Sequence, residues 1–68
     1  MTFGEKVLEA RGQLLLTQEQ LAKELGVAFS TINRWEKGKN APQFLEQRKF
    51  DDFCKTRGVV FNVAEDNG

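Results

Sequence analysis

The stretch LTQEQLAKELGVAFSTINRWEKG, residues 16–38, restricts this chain's folding options more than any other. Thr17 and Gln20 have the spacing of a capping box, in which a hydroxyl and a side-chain carbonyl close each other's open backbone donors. Leu21, Ala22 and Leu25 follow at helical intervals, which predicts a helix over about 18–25. Gly26 then stands where a helix ends in the left-handed conformation, which glycine adopts without penalty. A second helix over about 29–37 stops at Gly38. At roughly 100° per residue, Ile32 and Trp35 share its inner side, while Phe29, Ser30, Asn33, Arg34 and Lys37 cover the outer one. Two helices this close to a glycine turn need a small residue where they cross, and Ala22 supplies it. Leu21, Leu25, Val27, Ile32 and Trp35 supply the apolar contacts that lock the angle.

The flanking segments add further helices. Thr2 and Glu5 form another capping-box pair ahead of a helix over about 3–13, whose stripe holds Phe3, Val7 and Leu14, with Leu8 at its border. Arg11 falls inside that stripe. A guanidinium there is costly unless a carboxylate meets it, so the pattern demands a partner acid elsewhere. Asn40 and Pro42 mark a turn and a new helix start. Beyond them Phe44 and Leu45 do not share a face with Phe50, Phe53 and Cys54, so residues 42–57 read as two short helices or one kinked helix, ended by Gly58. VVFNV, residues 59–63, reads as an extended strand with Val59, Phe61 and Val63 on one side. It either tucks against the helices or pairs with a second copy. The tail AEDNG reads as disordered.

Sixty-eight residues make one small domain. A composition 40% hydrophobic and 29% charged is that of a globular protein. No apolar run is long enough to span a membrane, and MTFGEKV lacks the basic-then-apolar pattern of a secretory leader, so the expected location is cytoplasmic. With no histidine and a single cysteine, no common metal site or catalytic triad can be assembled; no cofactor, metal or enzymatic activity is expected. Cys54, on the Phe50–Phe53 side, reads as core. The ten basic and ten acidic residues balance, but not evenly along the chain. Between 29 and 49, Arg34, Lys37, Lys39, Arg48 and Lys49 face only Glu36 and Glu46, a local balance of +3.

Two helices joined by a glycine turn, the second with a polar outer face, form the helix-turn-helix pattern. LTQEQLAKELGV followed by STINRWEKGK resembles the Cro and lambda-repressor type of helix-turn-helix, the xenobiotic-response-element family, over about residues 3–57. The resemblance implies an all-α fold, a compact bundle of five short helices, here with a short extended C-terminal segment: residues 1–57 as the DNA-binding domain and 58–68 as extension and tail. It implies sequence-specific binding of double-stranded DNA as a homodimer, with helix 29–37 in the major groove. Phe29, Ser30, Asn33 and Arg34 then occupy base-facing positions. Their chemistry suits the role: Arg34 for guanine O6 and N7, Asn33 for adenine, Ser30 for either, Phe29 for a thymine methyl. Thr17, Gln18, Thr31, Lys37, Lys39 and Asn40 match phosphate-contacting positions. The resemblance also names Glu36 as the partner of Arg11. Two positions depart from the family: Ala28 replaces the usual hydroxyl cap of the recognition helix, and Leu15 replaces the usual Gly or Asn before Leu16-Thr17. A protein-interaction module, or a DNA-targeting domain of a larger protein, is the alternative function. No small-molecule pocket is legible.

Overall fold

The computed structural model describes residues 1–39 and 42–61. Among these residues four helices follow one another, α1 (Phe3–Leu14), α2 (Gln18–Leu25), α3 (Phe29–Lys37) and α4 (Phe44–Arg57), and there is no strand. Both expected capping boxes form. Thr2 Oγ1 accepts the Glu5 N–H at 3.2 Å while Glu5 Oε1 accepts the Thr2 N–H at 2.8 Å. Thr17 and Gln20 do the same at 3.0 and 2.9 Å. At α4 the Glu46 carboxylate accepts the Gln43 N–H at 3.1 Å.

The expectation of five helices, with 42–57 divided or kinked, gives way to four among the described residues. Residues 44–57 form one continuous helix. The mismatch between faces is real, but Phe44 and Leu45 are 70% and 74% exposed. They make no second buried stripe that a turn would have to serve, and no Gly or Pro lies between 44 and 57 to break the backbone.

The connection between α1 and α2 keeps its tight shape despite Leu15. This residue takes φ 57° and ψ 44°, the left-handed conformation, at the end of α1. That costs a non-glycine residue about 1–2 kcal/mol. The next N–H, of Leu16, closes the turn on the Arg11 carbonyl at 3.0 Å. Gly26 makes the same turn after α2 without that penalty, and the Val27 N–H reaches the Ala22 carbonyl at 3.0 Å.

The core comprises Val7 and Ala10 of α1, Leu21, Ala22 and Leu25 of α2, Ile32 and Trp35 of α3, Phe50 and Cys54 of α4, and Val59. Phe3 packs edge-on against both Trp35 and Phe50, at centroid distances of 5.1 and 5.2 Å. Where α1 crosses α3 the backbones themselves meet: a Cβ at Gly4 would lie 2.4 Å from the Trp35 carbonyl oxygen. Only glycine permits that approach. Arg57 and Glu24 join α4 to α2 at 3.0 Å, a solvent-exposed pair worth under about 1 kcal/mol.

Residues 59–61 lie against the bundle without strand pairing. Val59 is buried, Phe61 half-buried against Phe50, and Val60 exposed between them, the alternation expected for this segment. The Gln13 side-chain amide holds the Val60 backbone from both sides. Its Nε2 donates to the Val60 carbonyl at 2.7 Å and its Oε1 accepts the Val60 N–H at 3.2 Å. Val63 and the AEDNG tail lie outside the described residues.

Candidate nucleic-acid interface

Helix α3 is held from beneath. Ile32 and Trp35 are buried, α1 touches its backbone at Gly4, and α2 packs along it. Its outward residues are therefore carried on a rigid support. Phe29, Ser30, Arg34 and Lys37 are exposed, Phe29 to 51%. Thr31 and Asn33 are half-buried. Ala28 caps the helix with no side-chain hydrogen bond, so the positive end of the α3 dipole is not quenched by its own cap. Lys39, just past the helix, is exposed; Asn40 lies outside the described residues.

The start of α2 lies beside α3. Thr17 is exposed, but its hydroxyl is engaged with the Gln20 N–H. Gln18 is half-buried and looks toward α3: its Nε2 donates to Glu36 Oε1 at 2.7 Å, and its Oε1 accepts from Asn33 Nδ2 at 3.3 Å. The expected Arg11–Glu36 pair is present. Arg11 Nε reaches Glu36 Oε2 at 2.6 Å and Nη2 reaches Oε1 at 3.0 Å, a two-pronged contact between α1 and α3. The side chains are 21% and 7% exposed. Arg11 Nη1 donates further to the Leu16 carbonyl at 3.1 Å, tying in the turn before α2. The hydrogen bond to Glu36 raises the Arg11 pKa, burial works against it, and the Glu36 charge adds to the rise.

The structure thus gathers the sequence-derived residues into two groups. Ser30, Arg34, Phe29, Lys37 and Lys39 form an outward, solvent-facing set on and after α3. Gln18 and Asn33 are joined to each other and to the Arg11–Glu36 pair. Sequence reasoning named these residues and the Arg11–Glu36 pair but missed the bonds that join Gln18 to Glu36 and to Asn33. The available signal was the carboxylate's capacity: Glu36 can accept more bonds than one guanidinium fork supplies, so a further donor was to be sought on a neighbouring helix.

Among the described residues, no His, Cys, Asp and Glu cluster could hold a metal ion, and no helix is long and apolar enough to cross a membrane. The family model described as helix-turn-helix, of the xenobiotic-response-element type, matches residues 7–49. The chain belongs to the helix-turn-helix family. The match runs from the middle of α1 into α4 and takes in both groups of site residues. Over 42 residues, 62% of this chain, it is 48% identical to the HTH-type transcriptional activator BcrR of Enterococcus faecalis. Over 37 residues, 54% of this chain, it is 43% identical to a protein of Rhodospirillum rubrum described as an uncharacterized transcriptional regulator in the ATPase CF(0) region. The matched stretches span 21% and 34% of those two proteins' lengths. No solved structure matches the chain.

Proposed function

We propose that this chain is a sequence-specific double-stranded-DNA-binding domain of a transcription regulator. In this reading α3 enters the major groove, and two copies bind a two-fold symmetric site. The observation that carries it is the rigid mounting of α3: Ile32 and Trp35 anchor one side in the core while Ser30 and Arg34 stand exposed on the other. Family membership and two relatives named as transcriptional regulators support the same reading.

Phe29, Ser30, Asn33 and Arg34 face base edges, and Arg34 offers the two parallel donors that grip guanine O6 and N7. Thr17, Gln18, Thr31, Lys37, Lys39 and Asn40 follow the phosphates. The balanced net charge fits such a role. Non-specific affinity comes from phosphate neutralisation and counterion release, so a protomer with a few local cations binds random DNA weakly and relies on base contacts for discrimination.

The test is selection from a pool of random duplex DNA, followed by sequencing, for wild type and Arg34→Ala. The expected result is a palindrome with half-sites about one helical turn apart, with one base-pair preference relaxed in the variant. If a folded wild-type protein enriches nothing at low salt, the reading fails. The exposed Phe29 on this face then points to a protein partner instead.

A further inference from the structure

The hydrogen bonds around Glu36 run in only one direction. A carboxylate accepts and cannot donate. Its Oε1 takes bonds from Arg11 Nη2 at 3.0 Å and Gln18 Nε2 at 2.7 Å, and its Oε2 takes one from Arg11 Nε at 2.6 Å. Gln18 must therefore turn its NH2 group toward Glu36. Its carbonyl is left facing Asn33, which has to meet it with Nδ2, at 3.3 Å. Every donor in the series points from the outer part of α3 inward to one carboxylate. No buried side-chain polar atom among the described residues is left without a partner.

We infer that Glu36 is a positioning residue which, through Gln18, fixes which way the Asn33 amide faces the DNA. This rests on the DNA-binding reading above. Asn33 keeps its Oδ1 and one remaining Nδ2 hydrogen for a base, in a set order. An acceptor beside a donor matches the adenine edge, with its N6 donor and N7 acceptor. An unrestrained amide samples both orientations by turning over; here the choice is made before DNA arrives.

The direction of the series predicts what neutralising its end does. In Glu36→Gln the new carboxamide either keeps its oxygen on Arg11 Nη2 and Gln18, or keeps it on Arg11 Nε and presents NH2 to Gln18; each arrangement retains one bond to Arg11 and one to Gln18. In the second arrangement Gln18 turns over, and Asn33 after it, so a single orientation is no longer imposed. There Asn33 shows two donors outward, the pattern that suits guanine O6 and N7. A substitution beneath the surface would thus change base preference at a position it never touches.

The experiment compares wild type, Asn33→Ala, Glu36→Gln and Gln18→Ala, each checked for folding by its circular-dichroism melt, in random-duplex selection. Asn33→Ala locates the base pair concerned, where wild type is expected to prefer adenine by about 5- to 150-fold, the range of one bidentate contact. Glu36→Gln should weaken that preference, with guanine gaining at the same position, and leave the other positions of the site alone. Gln18→Ala cuts the series but keeps the Arg11–Glu36 pair; it should weaken the adenine preference there by at least about 5-fold, and it carries the test if Glu36→Gln does not fold. In the free protein, both variants should shift the Asn33 side-chain amide signals in NMR spectra. Unmoved amide signals overturn the inference whatever the DNA result. So does an unchanged adenine preference in both folded variants, or an Asn33→Ala variant that alters no position. If wild type enriches no sequence while the amide signals do shift, the DNA-binding reading itself has failed, and the inference falls with it.

Discussion

Replacing Gly4 by alanine sets two effects of opposite sign against each other. Within a helix, alanine is favoured over glycine by about 1 kcal/mol, so on propensity alone Gly4→Ala stabilises the protein. The structure reverses the sign. The added Cβ would stand 2.4 Å from the Trp35 carbonyl oxygen and 3.2 Å from that of Glu36. Both are backbone atoms, which cannot rotate aside, so α1 and α3 must separate by about 1 Å to restore ordinary contact. Overpacking of this kind costs about 1–3 kcal/mol. Separation also loosens the edge contacts of Phe3 with Trp35 and Phe50. The expected net loss is about 1–2 kcal/mol, and at roughly 4–8 °C per kcal/mol for a domain of this size the melting temperature falls by about 5–15 °C. Gly12 lies on the same helix with nothing within 4 Å of its would-be Cβ, and serves as the internal control. Gly12→Ala should raise the melting temperature by a few degrees, about 0.5–1 kcal/mol. Thermal unfolding followed by circular dichroism, repeated as urea titration, reads both. A Gly4→Ala variant as stable as Gly12→Ala would refute the close approach of the two backbones.

Two further outcomes follow from buried groups. Glu36→Gln removes the charge from a pair only 21% and 7% exposed, and should cost about 2 kcal/mol, the worth of a charge-assisted hydrogen bond; Arg11→Met should cost a similar amount, and the double variant clearly less than the sum, whereas strict additivity in urea titrations would mean the two side chains do not support each other. The Cys54 thiol is pushed up to about 11 by burial, with the Asp51 charge adding and Lys6 opposing, against an ordinary 9.0. Between those values the unfolded chain has lost the proton that the folded one keeps, so the unfolded state binds fewer protons and stability falls as pH rises. The loss begins near pH 9 and levels off near pH 11, on the order of 2 kcal/mol in all. Cys54→Ala should lack this component, so parallel stability curves for the two proteins across that range would contradict it.

What the sequence made legible was local. Capping pairs three residues apart, the glycine after α2 and the inward placement of Ile32 and Trp35 are signals written within one or two helical turns. The Arg11–Glu36 pair spans 25 residues and was reached because an apolar stripe with a guanidinium in it poses a question and a family resemblance answers it. The Gln18–Asn33 bond, across 15 residues, posed no such question, because two amides on polar faces look complete in isolation. Gly4 was silent for a related reason: a glycine inside a helix carries no hint of the backbone that approaches it. The continuity of α4 was hidden by Phe44 and Leu45, since large apolar residues are ordinarily assigned to a buried face. Leu15 shows the reverse case, a residue unsuited to its conformation that the Arg11 and Gly12 carbonyls hold in place through the turn's hydrogen bonds.

The Gln13 clamp on Val60 amounts to a sheet one residue long, in which a side-chain amide plays the part of the neighbouring strand. It recognises the peptide group and ignores what hangs from it, for the Val60 side chain is exposed while its N–H and carbonyl are both taken. Position 60 is accordingly free to vary among nearly all amino acids, with proline alone barred for want of an N–H. Position 13 carries the whole constraint, and Glu9, accepting from the same Nε2 at 2.8 Å, steadies the amide for it.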